Sequence, residues 1–157
     1  MNISSSSFKD GGGIPPKHAM KAIPGGMNLS PQLSISGVPA GTTSLAICFV
    51  DRYPPARNWV HWLAVNIPPG ATSIAEGASG SAMPAGSIEL VNTFGKKGYG
   101  GPQPPRGSGV HPYELAVYAL SDAPGFAVRE YSEAEFLELI RNKVLAKAKI
   151  TGGFEYK

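Results

Sequence analysis

The sequence predicts one all-β or β-rich domain of antiparallel sheets, and three observations carry that expectation. Short apolar runs alternate with turn signals along most of the 157 residues. Runs bounded by Pro and Gly read as buried or half-buried strands. The chain holds 20 glycines and 15 prolines, more than a fifth of its positions, and these would break long helices. No amphipathic stretch of helix length separates the strand-like runs, which argues against β-α-β crossovers and for antiparallel pairing. With 42% hydrophobic residues and a formal charge of +3, the chain can build a core and lacks the signature of disorder. Its length fits a single domain over 1–157.

The elements follow in order. Ser44 to Val50 is a seven-residue run of strand formers closed by Asp51, and Trp59 to Ile67 is a second run stopped by Pro68-Pro69-Gly70. Gly70 to Gly86 is rich in Ala, Ser and Gly and predicts a mobile surface loop without regular structure. Phe94 to Gly109 mixes glycines with Pro102, Pro104 and Pro105. Gly admits unusual backbone angles and Pro stiffens the result, so this loop predicts a rigid, shaped wall. Ordered loops of such length tend to carry function. Tyr113 to Leu120 is a third strand, with Tyr113, Leu115 and Val117 on one face and Glu114, Ala116 and Tyr118 on the other.

One helix is expected, over about 132–149. Ser132 and Glu135 have capping-box spacing, and Phe136, Leu139, Ile140 and Val144 follow at helical intervals. Acidic residues lead and Arg141, Lys143, Lys147 and Lys149 trail, as the helix dipole favours. Ile150 to Tyr156 then predicts a short terminal strand with Gly152-Gly153 as a bend.

Several function classes fall away. The sequence pI near 9.0 is mildly basic, but the cations are scattered rather than gathered on one face, so nucleic acid is not expected as a partner. The single cysteine, Cys48, sits in an apolar strand as packing, and its solitude fits a reducing compartment. Met1 to Lys17 has no apolar signal core, and no run reaches the ~20 apolar residues of a membrane span. A cytoplasmic protein is the expectation.

Three polar residues stand where apolar packing would be ordinary: Asp51 closing the first strand, His61 between Val60 and Trp62, and His111 just after the Gly/Pro loop. Each alone fits a hydrogen-bonded core residue. Together they mark strand ends abutting one rigid loop. Imidazole N–H groups and glycine-rich backbone amides suit phosphate or carboxylate oxygens, and a carboxylate paired with a histidine favours its charged form. A zwitterion such as phosphoethanolamine would address both signs of charge. A facial metal triad lacks short His-x-His spacing, and no cofactor is implied. Gly107-Ser108-Gly109 does not match the nucleophile elbow Gly-x-Ser-x-Gly. The chain is therefore expected not to be an enzyme. The alternative is a hydrolase using Asp51, His61 and His111 on a phosphate or acyl ester.

The motifs resemble those of the phosphatidylethanolamine-binding, or Raf kinase inhibitor-like, family, in its small prokaryotic branch. In order these are Phe8 to Pro15, Asn28-Leu29-Ser30-Pro31-Gln32-Leu33, Pro39 to Ala46, Asp51 to Pro55, Trp59-Val60-His61-Trp62, Tyr99 to Pro105, and His111-Pro112-Tyr113. The resemblance implies a β-rich fold with a C-terminal helix near a small pocket for phosphate-type anions or phospholipid headgroups. Carried over, the pocket residues are Asp51, His61, His111 and Tyr113, with Pro55, Gly101, Pro104 and Pro105 shaping its walls. It also implies regulation of kinases or other protein partners. Arg52-Tyr53-Pro54 departs from the family's Pro-Asp-Ala, removing a carboxylate and adding a ring that narrows the mouth. Pro112 stands where an Arg is usual.

Overall fold

The computed structural model describes residues 1–157. Its strands are β1 (Asn2–Ser4), β2 (Leu33–Ser36), β3 (Ser44–Asp51), β4 (Val60–Ile67), β5 (Ser73–Ile74), β6 (Ile88–Glu89), β7 (His111–Leu120) and β8 (Val144–Phe154), with one helix, α1 (Glu133–Ile140), between the last two. Two antiparallel sheets result, with strand orders β1-β2-β5 and β6-β4-β3-β7-β8. The β-rich expectation holds.

Strand β3 is buried along its whole length because both faces of the large sheet are covered. Leu45, Ile47 and Phe49 join Trp62, Tyr113, Leu115 and Val117 in a core shared with Leu33, Ile35 and Ile74 of the small sheet. Ala46, Cys48 and Val50 face the other way, against Ala116, Tyr118, Phe126, Tyr131, Phe136 and Ile140. A strand with two buried faces reads as a continuous apolar run, which is what Ser44 to Val50 shows. The two-faced reading of Tyr113 to Leu120 also holds.

Two expectations are corrected. The capping box forms, with Ser132 Oγ accepting from Glu135 N–H and Glu135 Oε2 accepting from Ser132 N–H. The helix nevertheless ends at Ile140; a 3₁₀ turn over Arg141–Lys143 follows, and the terminal strand runs through Val144–Phe154. Strand β7 supplies the reason, since its outer edge needs hydrogen-bonding partners. It pairs from Leu120 opposite Val144 to His111 opposite Phe154. Ala146 and Ile150 point into the core between the sheets, whereas Lys147 and Lys149 reach Glu114 on the opposite face. Of the cations assigned to the helix end, Lys147 and Lys149 therefore serve the sheet, while Arg141 caps α1 and pairs with Glu138. The Gly70 to Gly86 segment is not wholly irregular either. It contributes β5, and Ser79 Oγ and the Gly80 N–H both donate to buried Glu89.

Candidate functional site

Three strands deliver the polar residues to one end of the large sheet. Asp51 ends β3 directly opposite Tyr113 of β7, and His111 opens β7 two residues earlier on the same face. His61 arrives there by a register shift. Phe49 pairs with Trp62 but Val50 pairs with Val60, so two residues of β4 bulge against one step of β3. A bulge breaks strict alternation. Here it puts His61 on the same face as its neighbour Trp62, against Phe49 and Tyr113.

The Gly/Pro loop fixes the bulged histidine. Gly100 N–H donates to the His61 carbonyl at 2.8 Å, and the His61 ring returns Nδ1–H to the Gly100 carbonyl at 2.6 Å. Asn28 anchors the same loop by accepting from Gly101 N–H at 2.7 Å. Gly101 is obligatory there, because an added Cβ would lie 2.0 Å from the His18 carbonyl oxygen. Asn92 shapes the preceding turn. Its Oδ1 accepts from the N–H groups of Phe94 and Lys96, and its Nδ2 donates to the Gly98 carbonyl. That turn sets Phe94 edge-on to both His61 and Trp59.

Around these groups lies a cavity of about 310 Å³. Of the residues expected from sequence, Asp51, His61, His111, Tyr113, Pro55 and Pro105 line it. Gly101 and Pro104 do not. They are buried behind the wall, Gly101 packed against the His18–Ala19 backbone, so their part is to support the loop. Sequence reasoning missed Ala56, Trp59, Phe94 and Gln103 as lining residues. For Phe94 a signal existed in Asn92-Thr93-Phe94-Gly95, since Asn before Gly commonly marks a side-chain-closed turn. The third histidine, His18, is buried outside the cavity lining with Nδ1 bonded to the Leu29 carbonyl.

The electrostatics divide the two imidazoles. His111 Nδ1 lies 2.7 Å from Asp51 Oδ2, and a carboxylate can only accept, so Nδ1 carries the hydrogen. The second oxygen, Oδ1, accepts from Tyr53 N–H at 2.8 Å. The Tyr53 ring stacks on His111 with centroids 3.9 Å apart; the residue expected to narrow the mouth forms a lid over one histidine. On its other side His111 Nε2 meets Ser108 Oγ at 3.0 Å. His61 has only the Gly100 carbonyl, and burial pushes it down to about 4. It is neutral near pH 7, and Nε2 is its free acceptor. The Tyr113 hydroxyl is buried beside the Asp51 carboxylate with no partner in full hydrogen-bond geometry, and burial followed by that carboxylate's charge raises its pKa. No three His, Cys, Asp or Glu side chains converge as metal ligands, and no helix is long and apolar enough to cross a membrane.

Known proteins share this architecture. A UPF0098 protein of Methanothermobacter thermautotrophicus is 38% identical, over 97% of each chain. The crystal structure of Escherichia coli YbcL, described as a member of the mammalian PEBP family, matches with a TM-score of 0.90 at 33% identity, covering 99% of this chain and 98% of that one. Chlamydia trachomatis CT736 matches with a TM-score of 0.83 at 29% identity, covering 99% and 97%. Residues 4–155 fit the family model described as phosphatidylethanolamine-binding protein. With that span and those relatives, the chain belongs to the phosphatidylethanolamine-binding protein family.

Proposed function

We propose that the cavity binds a phosphate-type anion, free or carried as a phospholipid headgroup such as phosphoethanolamine. The observation that carries this reading is the convergence of His61, His111 and the unpartnered Tyr113 hydroxyl on one cavity. A buried hydroxyl without a partner leaves a desolvation cost that a ligand oxygen would relieve. His61 offers a lone pair at Nε2, so it suits a phosphoryl group that still carries a proton, or it takes up a proton as the anion enters. Affinity therefore increases as pH falls toward the His61 pKa, and binding raises that pKa from about 4. The aromatic and proline walls of Tyr53, Pro55, Trp59, Phe94 and Pro105 exclude water and accept an apolar substituent. In this reading the protein is a cytoplasmic regulator whose liganded state is offered to a protein partner such as a kinase.

The test is an NMR titration of the imidazoles of His61 and His111 with inorganic phosphate and with phosphoethanolamine. His61→Gln and His111→Gln supply the assignments. Both rings should shift together at sub-millimolar to millimolar ligand, with His61 gaining a proton. Saturation by phosphoethanolamine below the phosphate concentration would point to a role for the ammonium beside Asp51. Silence of both rings with either ligand would end the anion reading.

A further inference from the structure

We propose that Ser108, His111 and Asp51 form a relay that arms Ser108 as a nucleophile toward carboxylic esters, beside the cavity-lining His111. The inference uses two residues of the proposed anion site but does not require that an anion bind there. Its basis is geometric. Ser108 Oγ lies 3.0 Å from His111 Nε2, and His111 Nδ1 lies 2.7 Å from Asp51 Oδ2. A nucleophile hydroxyl, a base within hydrogen-bond reach, and a buried carboxylate that fixes the base's tautomer are the parts acyl transfer needs. Because Asp51 holds the hydrogen on Nδ1, a neutral His111 presents its lone pair to Ser108.

The loop holds Ser108 in place. Gly107 and Gly109 flank it with φ of +75° and +88°, a conformation that favours glycine. Gly107 N–H donates to the Tyr156 carbonyl, Arg106 Nε to the Lys157 carbonyl, and Ser108 N–H to the Pro105 carbonyl. The backbone N–H groups of Gly109 and Val110 donate to no protein group, and the amide following a nucleophile is a recurrent oxyanion donor. The sequence pattern could not disclose the arrangement, since Gly107-Ser108-Gly109 lacks the elbow spacing and the base stands only three residues further on.

One contact competes. Ser108 Oγ also lies 2.7 Å from the Pro105 carbonyl oxygen. The single hydroxyl hydrogen is given either to that carbonyl or to His111. When His111 is doubly protonated the carbonyl takes it and the serine is unarmed. When Nε2 is free the histidine competes for it. In the reactive state Ser108 Oγ attacks the acyl carbon, its proton passes to His111 Nε2, and the carbonyl π electrons move to oxygen. Collapse expels the alkoxide, which leaves with the proton from Nε2. Water then attacks the acyl-serine, giving its proton to His111. Release of the carboxylic acid returns that proton to Ser108. The Tyr53 ring, stacked on His111, suits small esters with an aromatic leaving group.

The experiment treats the full chain with an alkyl fluorophosphonate, maps the adduct by mass spectrometry, and follows p-nitrophenyl acetate for a burst. Adduct should form at Ser108 and vanish in Ser108→Ala, while Ser81→Ala labels as wild type does. His111→Gln should slow labelling by roughly a hundredfold or more. Asp51 is a positioning residue, so Asp51→Asn should slow labelling and displace its pH–rate profile. The other titratable groups around His111 are His61, Tyr53 and Tyr113. Absence of an adduct at Ser108, or equal reactivity of Ser108→Ala, overturns the proposal. Imidazole shifts with phosphate but no adduct would overturn the nucleophile and keep the anion cavity; an adduct without such shifts would do the reverse.

Discussion

Asp51 and Arg52 are adjacent in the chain, yet they head two polar clusters on opposite faces of the same sheet end. Arg52 donates to Glu133 at 2.6 Å and to Glu114 at 2.8 Å, while Lys149 closes on the second Glu114 oxygen at 2.6 Å. Every charge there meets an opposite charge, and no cavity opens between them. On Asp51's face the pairing stops short. Asp51 and His111 satisfy each other, but the Tyr113 hydroxyl has no partner and His61 has one ring nitrogen bonded. A saturated network ties strand to helix; the unsaturated one leaves polar atoms open to the cavity, as the proposed anion site requires.

The largest effect expected from this contrast is in the saturated cluster. Arg52→Ala strands Glu133, which is buried, without its partner. Breaking such a pair costs about 3 kcal/mol, readable as a lower urea midpoint, and the response of His61 to phosphate should persist. An unchanged midpoint would mean that the network contributes nothing to the fold.

The two faces also respond to acid in separate windows. Burial holds His61 neutral down to about 4, against 6.5 for the free side chain. Only the unfolded chain takes the proton between those values, so stability falls as pH drops from about 6.5 to about 4, by up to about 3 kcal/mol. Burial alone would raise the Glu114 pKa, but hydrogen bonds from Lys149 and Arg52 outweigh it and hold the carboxyl at about 2, below its ordinary 4.5. Its stabilisation is intact above about 4.5 and is lost as pH falls toward 2, a smaller loss of about 1–2 kcal/mol after solvent screening. Unfolding free energy measured against pH should therefore show two limbs. His61→Gln should flatten the upper and Glu114→Gln the lower; one limb unaffected by either change would dissolve the distinction.

The smallest effect is the sharpest. Tyr113→Phe removes a hydroxyl with no partner, so thermal stability should stay within about 0.5 kcal/mol or rise slightly. Phosphate affinity should fall in the same variant. A loss above about 1 kcal/mol would place that hydroxyl in the structural network after all.

Legibility in the sequence differed between these regions for physical reasons. Asp51, His111 and Tyr113 lie on strand ends where period-two alternation holds, so their common face was readable, as was the capping box at Ser132. His61 sits in a bulge, where counting by two assigns the wrong face. The Lys143 to Lys149 run fitted both a helix terminus and an edge strand, and charge order favoured the wrong one. Trp59 and Phe94 come to the cavity from turns whose direction depends on Asn92 and on the left-handed backbone at Arg57 and Asn58.

By itself the sequence determined the β-rich class, the buried central strand, the start of the helix and the choice of polar residues, because these follow from local pattern and composition. Only the tertiary structure decided where the helix gives way to β8, that His61 turns to face the cavity, and that Ser108 stands against His111. Each of these depends on a backbone partner distant in the chain or on a loop closed by long-range hydrogen bonds, and no local period encodes such a contact.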